Sequence, residues 1–187
     1  MRKIPSLLVR DPATHRAAVP YQVVDGCAWV LAGEGTATAK ADGTAVRYHD
    51  GVWWTRRQVR AHRAPPPGFA CVDTDPAGTR YGWEPAAASG YARVLAAAVD
   101  ALDPAALPGG ATYELVGPSL QGNPHRLPCH MLVRHGAAVL PGCPRDPAAL
   151  PGYLAGLPWE GVVWHHPDGR RAKVKRRDLG LPWPVPR

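Results

Sequence analysis

The sequence predicts an α+β fold in which antiparallel sheets dominate and helices flank them. Three observations carry this. Short β-rich runs recur along the chain, Asp-Gly pairs that favour hairpins separate several of them, and only one stretch has sustained helical periodicity. Gly35 to Ala41 reads as a strand running into Asp42-Gly43, and Ala45 to Arg57 (AVRYHDGVWWTRR) as a hairpin about Asp50-Gly51. The proline-rich Pro65-Pro66-Pro67-Gly68 is a surface loop. Tyr91 to Leu102 sets Val94, Leu95, Val99 and Leu102 on one helical face, and Pro108-Gly109-Gly110 closes that region. Thr112 to Val116 is a strand, followed by a loop through Gln121-Gly122-Asn123-Pro124. Met131 to Val133 and Ala137 to Leu140 flank His135-Gly136 and suggest another hairpin. Asp146 caps a short helix with Pro147 at its first position, and Pro151 limits it. Gly161 to Lys175 is a last hairpin turning at Asp168-Gly169. Beyond Asp178, Pro182, Pro184 and Pro186 make the tail irregular.

A length of 187 residues suits one domain, and 45% hydrophobic residues can supply a core. The 22 prolines and 20 glycines are spread along the chain, which is a compositional bias rather than a disordered tract. A formal charge of +7 points to a polyanionic partner, nucleic acid first and a membrane surface second. The start, MRKIPSLLVR, has no apolar region of signal-peptide length, and no run approaches a membrane span. The four cysteines form no CxxC pair, and Cys129 beside His130 lacks the second pair a zinc site needs. The expectation is a cytoplasmic protein with reduced thiols.

Four clusters hold candidate chemistry. Lys40-Ala41-Asp42-Gly43 places a lysine at a strand end before an Asp-Gly turn, where it can serve as a nucleophile or simply precede a hairpin. Glu114 in Tyr113-Glu114-Leu115 and Glu160 in Glu160-Gly161-Val162-Val163 are acids at apolar strands, and each can equally lie on a solvated face. In Lys173-Val174-Lys175 the period of two puts both ammonium groups on one face, which an anion between them would favour and an exposed basic edge would also show.

Taken in order, KxDG, a basic hairpin strand, an acidic strand, EGVV and KxK resemble motifs I, Ia, III, IV and V of the covalent nucleotidyltransferases. Within that superfamily the wording is similar to the small RNA ligase family that includes the vertebrate RNA ligase 1 proteins. The matching stretches are KIPSLLVRD (residues 3–11), KADGTAV, GVWWTRRQVR, PPPGF, TYELVGPSLQGNP, EGVVWH and AKVKRRDLG. The resemblance implies a single nucleotidyltransferase domain over residues 1–187 with no separate OB domain. It also implies an ATP-dependent RNA ligase that joins 5′-phosphate and 3′-hydroxyl ends, in RNA repair.

By the same resemblance Lys40 attacks the α-phosphorus of ATP, expels pyrophosphate and carries AMP. Lys173 and Lys175 hold the α-phosphate, and Glu160 binds Mg²⁺ (or Mn²⁺). Glu114 accepts from a ribose hydroxyl, and Asp42 and Gly43 shape the turn that presents Lys40. Arg57, with Arg56 as its rival, contacts ribose or a nucleic-acid phosphate. The first step needs a neutral amine, and a free lysine near pKa 10.4 is neutral only about once in 2,500 at pH 7. Nearby cations and burial lower that value.

Two departures stand out. Relatives place an aromatic ring under the adenine, yet His130-Met131-Leu132-Val133-Arg134-His135 has none, leaving His130, Leu132 or His135 to cover the base. Only twelve residues follow Lys175, so the domain is expected to grip RNA with its own surface or a partner. Arg56, Arg60, Arg176 and Arg177, with Arg57, Arg63, Arg170 and Arg171, are candidates for that grip, and Trp53 or Trp54 for stacking on bases while the other fills the core. A DNA ligase-like or capping-type transferase is the alternative enzyme. A catalytically silent domain that binds nucleic-acid ends is the alternative of another class.

Overall fold

The computed structural model describes residues 2–100 and 102–186, and among them nine strands form two antiparallel sheets. The chain divides into two units. One is Gly43–His135 plus the segment ending at Lys3, and the other is Ile4–Asp42 plus the segment from Gly136 onward. The expected mixture of helix and antiparallel sheet is present.

The first unit is built on a six-stranded sheet in the order β4-β5-β3-β2-β6-β7. Its strands are β2 (Thr44–His49), β3 (Val52–Val59), β4 (Ala70–Thr74), β5 (Arg80–Pro85), β6 (Thr112–Val116) and β7 (Met131–Arg134). The β2–β3 hairpin forms as expected. Asp50 and Gly51 take φ of 51° and 75°, as a turn matched to strand twist requires. Strands β4 and β5 went unforeseen in the sequence. Tyr81, Gly82, Trp83 and Glu84 are all buried, so β5 is covered on both faces and shows no alternation. One face packs Val46, Tyr113 and Leu115 against Leu95 of helix α1 (Ala92–Val99), with Trp53 beside them. The helix ends earlier than expected, and Leu102 lies beyond it, 40% exposed. Pro104 disfavours α geometry at the residue before it. Ala101, within the expected helix, lies outside the described residues.

The second unit holds a three-stranded sheet in the order β1-β8-β9, from β1 (Thr36–Lys40), β8 (Gly161–His165) and β9 (Arg171–Lys175). Its core packs Val162, Trp164, Ala172 and Val174 with Leu7, Leu8, Trp29, Leu150 and Leu154. The hairpin at Asp168-Gly169 forms as read. The one expected about His135-Gly136 does not. Strand β7 pairs with β6, whereas Val139 bridges Thr38 and Leu140 N–H donates to Ala37 O at 2.9 Å. Each apolar run has a better partner strand than the other. Asp146 does cap a 3₁₀ turn, accepting from Ala148 N–H at 2.9 Å. Pro151 does not limit that segment. It sits in the first turn of helix α2 (Leu150–Ala155), where its missing N–H has no bond to lose. Among the described residues no helix is long and apolar enough to cross a membrane, and the four cysteines are unpaired.

Candidate functional site

The lysines are brought together by register. Lys40 is paired with Gly161, and Gly161 with Lys175, so three directly opposed positions lie in a row across β1, β8 and β9. Opposed residues of an antiparallel pair share a face. The same face carries Thr38, Val163 and Lys173, while Ala37, Val162, Ala172 and Val174 turn to the core. The sequence reading of Lys173 and Lys175 on one face therefore holds, and Lys40 joins them. Gly161 makes the row possible. A Cβ there would lie 2.0 Å from Val174 O and 2.9 Å from Lys175 Cα.

Glu160, just before β8, is 1% exposed and sits among these ammonium groups. Its Oε2 accepts from Lys40 Nζ and its Oε1 lies 2.5 Å from Lys175 Nζ. The Lys175 contact is an ion pair. Burial pushes the Glu160 carboxyl up, but Lys40 and Lys175 outweigh it and hold the group below its ordinary value. The backbone locks this arrangement: Glu160 N–H donates to Lys40 O at 3.0 Å and Arg176 N–H to Glu160 O at 2.8 Å. Lys40 also reaches Ala41 O at 3.1 Å.

Asp42 follows in the same unit, and its Oδ2 accepts from the indole of Trp183 at 2.7 Å. The tail thus tethers the residue two past the lysine, a contact that spacing of 141 residues concealed. Lys40-Ala41-Asp42-Gly43 is not a hairpin turn, because β1 and β2 belong to different sheets.

In the first unit Gly43 is needed for close approach rather than for a positive φ, since a Cβ would lie 2.1 Å from Leu115 O. Gly43 N–H donates to Glu114 Oε1 at 3.0 Å. Glu114 Oε2 contacts His135 Nε2 at 2.8 Å, and His135 Nδ1 contacts Thr112 Oγ1 at 2.8 Å. Glu114 is opposed to Ala45 and Val133, so its face also carries Arg47, Trp54 and Arg56. Arg57 lies on the other face with Thr55, its Nη1 3.8 Å from Glu84. Arg56, not Arg57, is therefore the arginine that shares Glu114's face. Burial lowers the Arg56 pKa, opposed by Tyr81, Glu114 and Asp73. Trp53 takes the core side and Trp54 the Glu114 side. Leu132, opposed to Leu115, packs on the core and is removed as a cover for a base beside Glu114. His135 is engaged by Glu114, and His130 by Ser119 Oγ at 2.7 Å.

The basic candidates separate by burial. Arg60 and Arg177 are exposed. Arg176 is a correction to the expected surface set. It is 3% exposed, and its guanidinium donates to the carbonyls of Leu154, Leu157 and Pro182, which ties α2 to the tail. Its burial, with three of its five N–H donors spent on carbonyls, takes it out of the exposed set.

Residues 95–187 match the family model described as RNA ligase 1. Over these residues the chain is RNA ligase 1-like. The matched region of this RNA ligase 1-like chain includes Glu114, His135, Glu160, Lys173 and Lys175, while Lys40, Asp42, Gly43 and Arg56 precede it. Curated relatives include RNA ligase 1 of Pongo abelii (40% identical), of Danio rerio (38%) and of Rattus norvegicus (39%). Each alignment covers 40% of this chain and 26% of the relative, so the similarity spans about a quarter of those proteins' length.

Proposed function

We propose that this RNA ligase 1-like chain has a nucleotidyltransferase fold and acts as an ATP-dependent RNA ligase with Lys40 as its covalent nucleophile. The observation that carries the reading is the row of Lys40, Gly161 and Lys175 with Lys173 on the same face, arranged about the buried Glu160. Ammonium groups concentrated on one sheet face suit a tetrahedral phosphate. A neutral amine of Lys40 attacks the α-phosphorus of ATP, a P–N bond forms, and pyrophosphate leaves with the electrons of the broken P–O bond. The AMP then passes to the 5′-phosphate of RNA, and a 3′-hydroxyl displaces it to form the new phosphodiester. Such transfers depend mainly on positioning and charge neutralisation.

Glu160 governs the resting state of the nucleophile. Paired with this carboxylate, Lys40 is an ammonium and cannot attack, so reaction requires the pair to part. Lys173 and Lys175 then disfavour the charged form of Lys40 and face the developing charge on phosphate. Glu114, held between Gly43 N–H and His135, accepts from a ribose hydroxyl.

Among the described residues no group of three or more His, Cys, Asp or Glu is placed to hold a metal. The donor set fits a divalent ion only in the manner of magnesium, with one carboxylate completed by phosphate oxygens and water. Glu160 would be that carboxylate for Mg²⁺ (or Mn²⁺), and the ion when bound supplies charge neutralisation at the phosphates.

The test is strand joining with ATP of 5′-phosphorylated RNA, and in parallel of DNA of the same sequence. Joined RNA from the wild type and none from Lys40→Ala is expected. Joining of DNA alone would move the reading to a DNA ligase, and joining by Lys40→Ala would remove the nucleophile.

A further inference from the structure

Arg47 stands apart from the other arginines of the sheet. It lies on β2 between Trp54 of β3 and Thr112 of β6, two residues from Ala45, which is opposed to Glu114. Its guanidinium carbon is 4.7 Å from the ring centre of Trp83 and 5.6 Å from that of Trp54. Trp83 is 1% exposed and forms a fixed floor. The Arg47 Nε is buried and has no hydrogen-bond partner among the described residues. Burial disfavours its charge, and Asp50 partly offsets this.

A buried arginine nitrogen normally finds an acceptor, as those of Arg176 do in three carbonyls. Arg57, on the opposite face, has Glu84. Glu114, an acid on Arg47's own face, is already engaged by Gly43 and His135. Two indoles flank the Arg47 guanidinium while its buried Nε has no partner among the described residues. A guanidinium fixed in this way is organised for a bidentate oxyanion, and it cannot escape burial by losing its proton.

We infer that Arg47 binds a backbone phosphate of the RNA strand, on the sheet face that also carries Arg56, with half-buried Trp54 available to a base. This rests on the RNA ligase reading for its ligand. The strand, rather than the nucleotide, is favoured because Lys40, Lys173 and Lys175 already supply the cations for a nucleotide phosphate, whereas the Arg47 face adds the aromatic surface that single strands use.

The experiment measures binding of a 3′-fluorescein, 5′-phosphorylated single-stranded RNA by anisotropy across a KCl series, for wild type and Arg47→Gln. The KM for ATP in self-labelling is measured beside it. Loss of one phosphate contact is expected to weaken RNA binding about tenfold and to lower the slope of log K against log salt by about 0.7. Unchanged affinity and slope would overturn the inference and leave Arg47 as packing. A raised KM for ATP with RNA binding intact would also overturn it, by assigning the phosphate to the nucleotide. If Arg47→Gln fails to fold by circular dichroism, Arg47→Lys replaces it. That variant is expected to keep the salt slope and lose affinity severalfold, and equal affinity would overturn the inference. Weakened RNA binding in a protein that never self-labels would sustain Arg47 and sink the ligase reading; self-labelling with undiminished RNA binding would do the reverse.

Discussion

Glu160→Gln isolates the electrostatic centre of the lysine face. The substitution keeps shape and removes one negative charge from a position that is 1% exposed. It leaves Lys40 and Lys175 facing each other with side chains only 18% and 24% exposed. Removing one partner of a buried pair costs about 3–5 kcal/mol, and residual water contact at the two ammonium groups puts this case near 3 kcal/mol. With a urea slope of about 2 kcal/mol/M, the midpoint should fall by about 1.5 M at pH 7.5. Lys40→Met should cost less, about 1 kcal/mol, because Glu160 keeps Lys175. The pH dependence has a definite sign. The Glu160 carboxyl is held below its ordinary value, so its stabilisation is complete above the unfolded value near 4.3 and is lost as pH falls through the lower folded value. The gap between wild type and Glu160→Gln should therefore close only below about pH 4. A midpoint shift under about 0.3 M, or a gap that closes near neutral pH, would refute the buried ion network.

Three further substitutions test separate parts. Glu114→Gln should raise the KM for ATP about tenfold, and the preference for ATP over 2′-deoxy and 3′-deoxy ATP expected of the wild type should shrink, since about 1.4 kcal/mol accompanies one charged hydrogen bond. Gly161→Ala should cost more than about 3 kcal/mol, read as loss of soluble protein or a strongly lowered urea midpoint, because its Cβ meets Val174 O at 2.0 Å. Arg177→Gln should flatten the salt dependence of RNA binding by about 0.7, whereas Arg176→Gln should leave that slope alone and lower the thermal midpoint, because three carbonyls lose their donor.

Much of this was legible where a local rule sufficed. Asp50-Gly51 and Asp168-Gly169 mark turns by their own conformational preference, and the alternation in Lys173-Val174-Lys175 survives because one face of β9 is buried. What escaped depends on partners distant in sequence. Strand β5 is covered on both faces and interrupted by Gly82, so no period of two shows. Which of Arg56 and Arg57 shares Glu114's face is a question of register, read from the pairing of Arg56 with Trp83 and of Ala45 with Glu114. Arg176 is indistinguishable from Arg177 as a letter, yet one is consumed by carbonyls and the other is exposed. The tether from Trp183 to Asp42 and the engagement of Glu114 by His135 likewise have no local signal.

The most direct test of the central claim is incubation with ATP labelled on the α-phosphate and Mg²⁺, followed by a denaturing gel, with Lys40→Ala and labelled GTP alongside. The account predicts a label that survives denaturation, requires Lys40 and does not come from GTP. Folded protein, free of pre-bound AMP, that takes up no label would contradict it.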